Sequence, residues 1–490
     1  MTGAAAGALS GTWQHEAVRI EAGPTRLRLL GLGGSVLLSA AAVGAGVLPR
    51  PDPLRDAAVL SALRGGPGHI ACIAVAAAGM ALLVAAWLLL GRGLDRLTAR
   101  WMCTTAALWA LPMVFVPPIL SRDVYGYAVA GQMLQAGLDP YSHGAADLAS
   151  SWVTSTSTSW LNVPFAYGPL FLLLARLIVA GSGDSLVVAV FGMRALAIAG
   201  TVLLAWALPR AARACGVDER RALWLGLVNP LVLAHFVGGA HADALMVGLM
   251  VAGLAVAAGR WPAAGAVLCT LAVAVKATAA VALPFVALLW VLRLPHRRRP
   301  LAHAIAATVL VAGATFAAVT AVSGVGYGWV GTVNTVGLSR QWTSLSTGLG
   351  LVLGGSPGAL AVTRGIAFAA MAVIAVAVWV RAARRGGIRP AVEGCGWVLL
   401  AVVALGPAVH PWYVTWPVAA LAAAGISGRP RTAVAAASVG FCLLVLPDGY
   451  NLARATEPVG LVIDVLVLAG LVALGVRRLR RRRPAEQVAA

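Results

Sequence analysis

The chain has 490 residues, 60% of them hydrophobic and 11% charged, against roughly 25% charged in a soluble globular domain. That composition excludes a water-soluble enzyme and predicts a polytopic membrane protein whose backbone is satisfied inside helices. The formal charge of +20 comes from arginines set in short clusters between apolar runs, which marks topology and argues against a nucleic-acid-binding face.

Taken in chain order, residues 1–28 form an Ala/Gly-rich segment with Arg19, Arg26 and Arg28 just ahead of the first apolar run. That run is too long for the apolar stretch of a signal peptide and predicts a retained anchor. Runs able to cross the hydrocarbon as helices number about fourteen. They cover 29–48, 70–91, 101–120, 186–208, 222–238, 242–259, 262–275, 277–293, 301–322, 361–381, 391–409, 412–426, 431–447 and 458–476. Residues 29–476 are therefore expected to form one all-α transmembrane bundle. Threading from a cytoplasmic N-terminus leaves about 27 of the 37 basic residues inside, the favoured orientation. Pro169–Ala180 is apolar enough to cross, yet counting it would put Arg210, Arg213, Arg220 and Arg221 outside. It is assigned to the outer membrane surface as a juxtamembrane helix. The 121–183 region then becomes a large external loop, opened by a helix near Val124–Gln135 and carrying a Ser/Thr-rich stretch at Ser150–Ser159. Residues 477–490 begin with six arginines and no acid up to Arg483, a cytoplasmic tail. The six cysteines, Cys72, Cys103, Cys215, Cys269, Cys395 and Cys442, lie mostly inside apolar runs without C-x-x-C spacing, predicting neither a disulfide framework nor a metal site.

This threading brings the unusual polar residues to the outer face. Asp123 leads, in Ser121-Arg122-Asp123-Val124-Tyr125-Gly126-Tyr127 at the exit of an apolar run. A carboxylate there is costly and marks a functional site, suited to a general base, a role that can coexist with an N-cap of the following helix. Gly137-Leu138-Asp139-Pro140-Tyr141 continues the same loop, and Tyr167-Gly168-Pro169 opens the juxtamembrane helix. Lys276 is the only lysine among the 37 basic residues and lies between two short runs that meet outside, where an ammonium binds phosphate as a point charge or snorkels alone. Arg340 and Arg454 are external arginines against the inside bias, able to grip phosphate bidentately. His241 and Asp243 form a polar turn suited to sugar hydroxyls or to assisting the base, and lack the third ligand a metal needs. His410-Pro411-Trp412-Tyr413 joins an imidazole to two aromatic faces, fitting a sugar ring or the interfacial aromatic belt.

The order of these elements resembles the actinobacterial polyprenol-phosphate-mannose-dependent α-1,6-mannosyltransferases of the GT-C class. The likeness is carried by Arg-Asp-Val-Tyr, Gly-Leu-Asp-Pro-Tyr, Tyr-Gly-Pro-Leu, Gly-Gly-Ala-His-Ala-Asp-Ala-Leu, the lone lysine and His-Pro-Trp-Tyr, from about Arg100 to Trp416. It implies a plasma-membrane enzyme with its active site outside, taking mannose from polyprenyl-phosphate-mannose. The acceptor is a lipid-anchored α-1,6-mannan of lipomannan or lipoarabinomannan type. Asp123 would be the base, with inversion at the anomeric carbon. Lys276, Arg340 and Arg454 would hold the leaving phosphate. Tyr125, Tyr127, Asp139, Tyr141, Tyr167, His241, Asp243, His410, Trp412 and Tyr413 would contact sugar or acceptor, with no nucleotide sugar, metal or other cofactor. Two positions depart from the pattern: Gly126 replaces a serine, and Ala242 an asparagine. Competing readings are a lipid-linked sugar transporter or flippase, another lipid-linked donor such as arabinofuranose or a hexose, and a non-catalytic partner in an envelope complex. A transporter's paired broken helices in internal repeats are not visible in the sequence.

Overall fold

A computed structural model describes residues 23–54 and 56–482. Residues 1–22 of the predicted N-terminal segment and 483–490 of the predicted tail lie outside the described residues. Among the described residues the regular structure is helical apart from one isolated bridge, Val445–Asn451, as an all-α polytopic membrane protein requires. Local sequence sets many helix starts. Proline occupies the first turn of Pro24–Ala45, Pro169–Ser182, Pro262–Val273, Pro300–Ser323 and Pro357–Arg385, where its missing N–H costs nothing. Thr98 and Ser185 cap others through their hydroxyls, and Ser356 adds such a cap to Pro357–Arg385.

Each predicted apolar run contains a helix. Among the described residues seven helices are long and apolar enough to cross a membrane, or eight if the bent pair Glu219–Gly226 and Pro230–Gly238, which meet at 53°, is one span. The remaining runs break earlier. The 101–120 run stops being helical at Val114, ahead of Pro117 and Pro118. Asp243–Ala258 and Pro262–Val273 are 16 and 12 residues long. The juxtamembrane assignment falls on a 14-residue helix, Pro169–Ser182, shorter than a crossing needs.

The breaks create the site, and three devices fix them in place. Arg194, 1% exposed in the middle of Leu186–Ala214, donates from Nη1 to the carbonyls of Val114 and Val116, both at 2.7 Å, and from Nη2 to that of Gly238 at 3.4 Å. It thereby joins the extended segment before Asp123 to the turn before His241. The same two segments share a backbone bond, Ile119 N–H to Gly238 O at 3.1 Å, while Leu120 N–H reaches Pro447 O at 2.9 Å. Leu120 and Ala240 have φ of 71° and 53°, strain that non-glycine residues bear where the surroundings over-determine the backbone. Gly200 and Gly248 let Leu186–Ala214 cross Asp243–Ala258 backbone to backbone, for a Cβ on either would overlap the other helix. Small residues at such crossings are the usual means of close packing in lipid. At another contact Trp87 and Trp224 stack at 5.0 Å and donate reciprocally to each other's carbonyl at 2.8 Å, tying Gly66–Leu90 to Glu219–Gly226.

Replacing Arg194 by methionine keeps roughly the volume and leaves two buried carbonyls, those of Val114 and Val116, without this partner, at about 1–3 kcal/mol each, while the Gly238 carbonyl keeps the Ile119 N–H. The detergent-purified variant is expected to melt well below the wild type; an equal melting temperature would show that the clamp is dispensable.

Candidate active site

Asp123 is the first residue of the helix Asp123–Gln135, and Arg122 takes the N-cap position without a side-chain bond. The Asp123 carboxylate does not cap its helix; instead the Ser121 hydroxyl accepts from the Asp123 N–H at 3.1 Å. That frees the carboxylate, 17% exposed, to face the cavity with Oδ2 3.6 Å from His241 Nδ1. The Tyr127 hydroxyl lies 3.5 Å from the same nitrogen and receives a bond from Tyr167 at 3.3 Å. These separations are at or beyond the length of a formed hydrogen bond, as catalytic contacts often are before substrate binds. Burial raises the Asp123 carboxyl to about 6, opposed by the Lys276 ammonium and the Ser121 hydroxyl and assisted by Asp243. Burial, with neighbouring cationic or ionisable groups, drives His241 well below its ordinary range and His410 down to about 3. Both imidazoles are therefore neutral at pH 7. Trp412 is sandwiched between them, its ring 4.0 Å from His241 and 4.7 Å from His410.

Lys276 is buried and paired. Its Nζ lies 2.9 and 3.2 Å from the two Asp243 carboxylate oxygens, and Trp416 Nε1 donates to Asp243 Oδ1 at 2.6 Å. The ammonium also sits over the rings of Tyr413 and Trp416 at 4.4 and 4.9 Å. Gly168 permits this assembly: its N–H bonds to Val275 O at 3.0 Å, and a Cβ there would overlap Ala274. His241 and Asp243, neighbours in sequence, thus do different work, one facing Asp123 and the other neutralising Lys276.

Two cavities meet at Asp123. One, of about 100 Å³, is walled by Tyr127, Trp160, Phe165, Tyr167, Trp412 and Tyr413, with Gly126, Lys276 and His410. The other, of about 430 Å³, is polar and lined by Arg50, Arg122, Arg340 and Arg454 with Ser157, Ser159, Gln341 and Asn451. Asp123, Arg122, Ser157, Trp160, His410 and Trp412 line both. Among the described residues neither Arg340 nor Arg454 forms an ion pair. The His410 loop is held by Ser344, Ser346 and Thr347, which donate to the carbonyls of Gly406 and Pro407 at 2.6–3.0 Å.

The structure therefore gathers Asp123, Tyr127, Tyr167, Lys276, Arg340, His410, Trp412, Tyr413 and Arg454 around one space. Other predicted contacts stand behind it. The Tyr125 hydroxyl donates to Val47 O at 2.6 Å, and that of Tyr141 to Tyr167 O at 3.0 Å. Asp139 accepts from Tyr141 N–H at 2.9 Å and Ser142 Oγ at 3.0 Å, closing a turn. His241 and Asp243 are fully buried. These five support the walls and do not line them. Sequence reasoning missed Arg50, Arg122, Trp160, Gln341, Asn451 and Arg194. Arg122 was legible as part of the Arg-Asp motif; its Nη1 donates to Leu48 O at 3.1 Å and Ser155 O at 2.9 Å, drawing the Ser/Thr-rich stretch over the site. Of the two departures, Gly126 faces the cavity, and a Cβ there would meet only Phe165, at 3.7 Å. Among the described residues no group of three His, Cys, Asp or Glu is arranged to hold a metal ion.

Comparison with known proteins places relatives along nearly the whole chain. A family profile described as alpha-(1->6)-mannopyranosyltransferase, N-terminal domain, matches residues 28–292, and an MptB C-terminal domain profile matches 335–476. Alpha-(1->6)-mannopyranosyltransferase A of Mycobacterium tuberculosis is 36% identical over 451 residues, 88% of this chain and 86% of the relative. A probable alpha-(1->6)-mannopyranosyltransferase of Mycolicibacterium smegmatis is 34% identical over 81% of this chain and 78% of its own length. Alpha-(1->6)-mannopyranosyltransferase B of Corynebacterium glutamicum is 29% identical over 91% and 80%. No solved structure matches the chain.

Breaking a buried ion pair from one side costs about 3–5 kcal/mol. Lys276→Met and Asp243→Asn are each expected to lower the melting temperature strongly, and the double variant to lose less than the sum of the two. Additive losses would show that the pair is not coupled.

Proposed function

Because the chain belongs to the alpha-(1->6)-mannopyranosyltransferase family, we propose that it transfers mannose within the membrane from polyprenyl-phosphate-mannose to a lipid-anchored α-1,6-mannan of lipomannan or lipoarabinomannan type. Mannosyl transfer comes from the family; the donor, the acceptor and the roles of individual residues are our reading. The observation that carries it is the place of Asp123, a carboxylate where an aromatic cavity meets an arginine-lined one.

In this reading the transferred mannose lies in the aromatic cavity against Tyr167, Tyr413 and the edge of Trp412, and the acceptor approaches through the polar cavity. The acceptor 6-hydroxyl oxygen attacks the anomeric carbon as Asp123 takes its proton. The bond from that carbon to the phosphate oxygen breaks on the opposite side, so the configuration inverts and polyprenyl phosphate leaves. Charge gathering on the phosphate is met by Lys276, whose pull is tempered by Asp243, while Arg340 and Arg454, which carry no competing carboxylate, line the polar cavity through which the acceptor comes. A preorganised cation of this kind stabilises charge as it develops in the transition state. His241, neutral and buried, positions the base. The arginine distribution supports a plasma-membrane protein with both termini cytoplasmic and the 121–183 loop as the external catalytic face of one domain, 29–476.

Purified wild type should transfer labelled mannose from polyprenyl-phosphate-mannose to a short α-1,6-mannoside, and Asp123→Asn should not, while purifying in equal yield; turnover in detergent, without compartments, separates transfer from transport. Full activity in Asp123→Asn would remove it as the base. The pH dependence is fixed in sign, since the base works only as the carboxylate. The kcat/KM of the wild type should fall as pH drops through about 6. An acid limb near the ordinary aspartate range would show that burial does not tune the group.

A further inference from the structure

A third cavity, of about 390 Å³, is lined in part by Lys276 and shares no lining residue with the polar cavity. We propose that it binds the isoprenoid chain of the lipid-phosphate donor, with Arg364 as the cation at its polar end; the inference rests on the mannosyl transfer proposed for this site. The groove's walls are largely apolar, with Val333, Phe368, Met371, Val402 and Ala408 among them. Phe368 and Met371 belong to Pro357–Arg385, a helix long and apolar enough to cross the membrane. Val362, Ile366, Phe368, Val373 and Val376 of that helix are 44–69% exposed, the sign of a helix bordered by lipid. A hydrocarbon chain thus reaches the groove without crossing water.

Charge decides which hydrocarbon chain. Arg364 spends Nε on the Thr347 hydroxyl at 3.0 Å and Nη2 on Ser339 O at 3.4 Å, and among the described residues it forms no ion pair. A cation without a carboxylate, beside an apolar groove that borders lipid, complements an amphiphile with an anionic head and a long apolar tail. The groove also shares Ala166, Lys276 and Tyr413 with the aromatic cavity, so a head group at Lys276 places its sugar against Asp123. One short segment divides the traffic. Val333, Asn334 and Gly337 face the groove, Thr335 faces the aromatic cavity, and Leu338 to Gln341 face the polar one. Donor and acceptor therefore reach the base from opposite sides of the same stretch of chain.

The test uses the full-length protein and two mannosyl phosphates, one on a geranyl and one on an undecaprenyl chain. Met371→Trp fills the groove at a distance from Asp123 and is expected to raise KM for the undecaprenyl donor about tenfold while leaving the geranyl and acceptor KM unchanged. Arg364→Met should raise KM for both donors, and Arg364→Lys should restore part of the loss. Equal responses of the two donors to Met371→Trp, or none, would overturn the groove. A second probe, a sugarless undecaprenyl phosphate bearing a benzophenone on its tail, should label peptides spanning 333–337 and 366–371 in the wild type. Saturable label elsewhere, or none, would also overturn it. Retained label in a wild type that transfers no mannose from either donor would sink the transferase reading and leave the lipid-phosphate groove standing.

Discussion

A single guanidinium holds the two halves of the site together. Arg194 lies inside a helix where a lone cation is expensive, and it is tolerated because main-chain carbonyls from two broken elements converge on it. The helix Ala99–Val114 ends there with the negative end of its dipole toward the charge. The π-turn Ala234–Gly238 ends there as well. Such turns recur where a helix is distorted for function. Asp123 and His241 follow directly after the two segments joined at this junction, and the residues of positive φ, Leu120 and Ala240, lie between it and them.

Around that junction charge is distributed in two regimes. Lys276 and Asp243 cancel each other beneath a lid of Tyr413 and Trp416, which makes this pair an organising element. Arg340 and Arg454 remain uncompensated at the cavity surface, where an anion gains most from them. The neutral state of His241 and His410 fits the same division: burial strips the imidazoles of charge, leaving them as ring surfaces and single hydrogen-bonding groups around Trp412. A base poised near 6 is thereby placed close to permanent cations without being trapped as their partner.

The architecture was legible because apolar runs, first-turn prolines and hydroxyl caps are local signals, and each predicted run does contain a helix. How far each helix extends was less legible. Pro117 and Pro118 mark in the sequence that the run at 101–120 breaks, but nothing local reveals that the carbonyls of Val114 and Val116 are held by Arg194, a residue far along the chain. The site shows the same limit. Asp123, Lys276 and the His-Pro-Trp-Tyr loop stood out as polar residues in apolar surroundings, and they converge. His241 and Asp243 looked like one polar turn, yet the turn that separates them sends their side chains to different partners. Arg194 was hidden because an arginine inside a long apolar run differs little from one at its edge until its acceptors are known. Arg50 and Gln341 sit on loops that only the folded arrangement brings beside Arg454, whereas Asn451 is the N-cap of the short helix that carries it.

The polar cavity has a further implication for the economy of the proposed reaction. Its lining of arginine, serine, glutamine and asparagine is hydrophilic up to Asp123, so water can enter along the acceptor's path and meet the same base. Loss of activated sugar to hydrolysis is then a competition for one position beside the carboxylate. Trp160, which lines both cavities, favours an acceptor ring that can stack over the small molecule that cannot. On the proposed reading, fidelity toward the acceptor is therefore a property of the acceptor-facing surface.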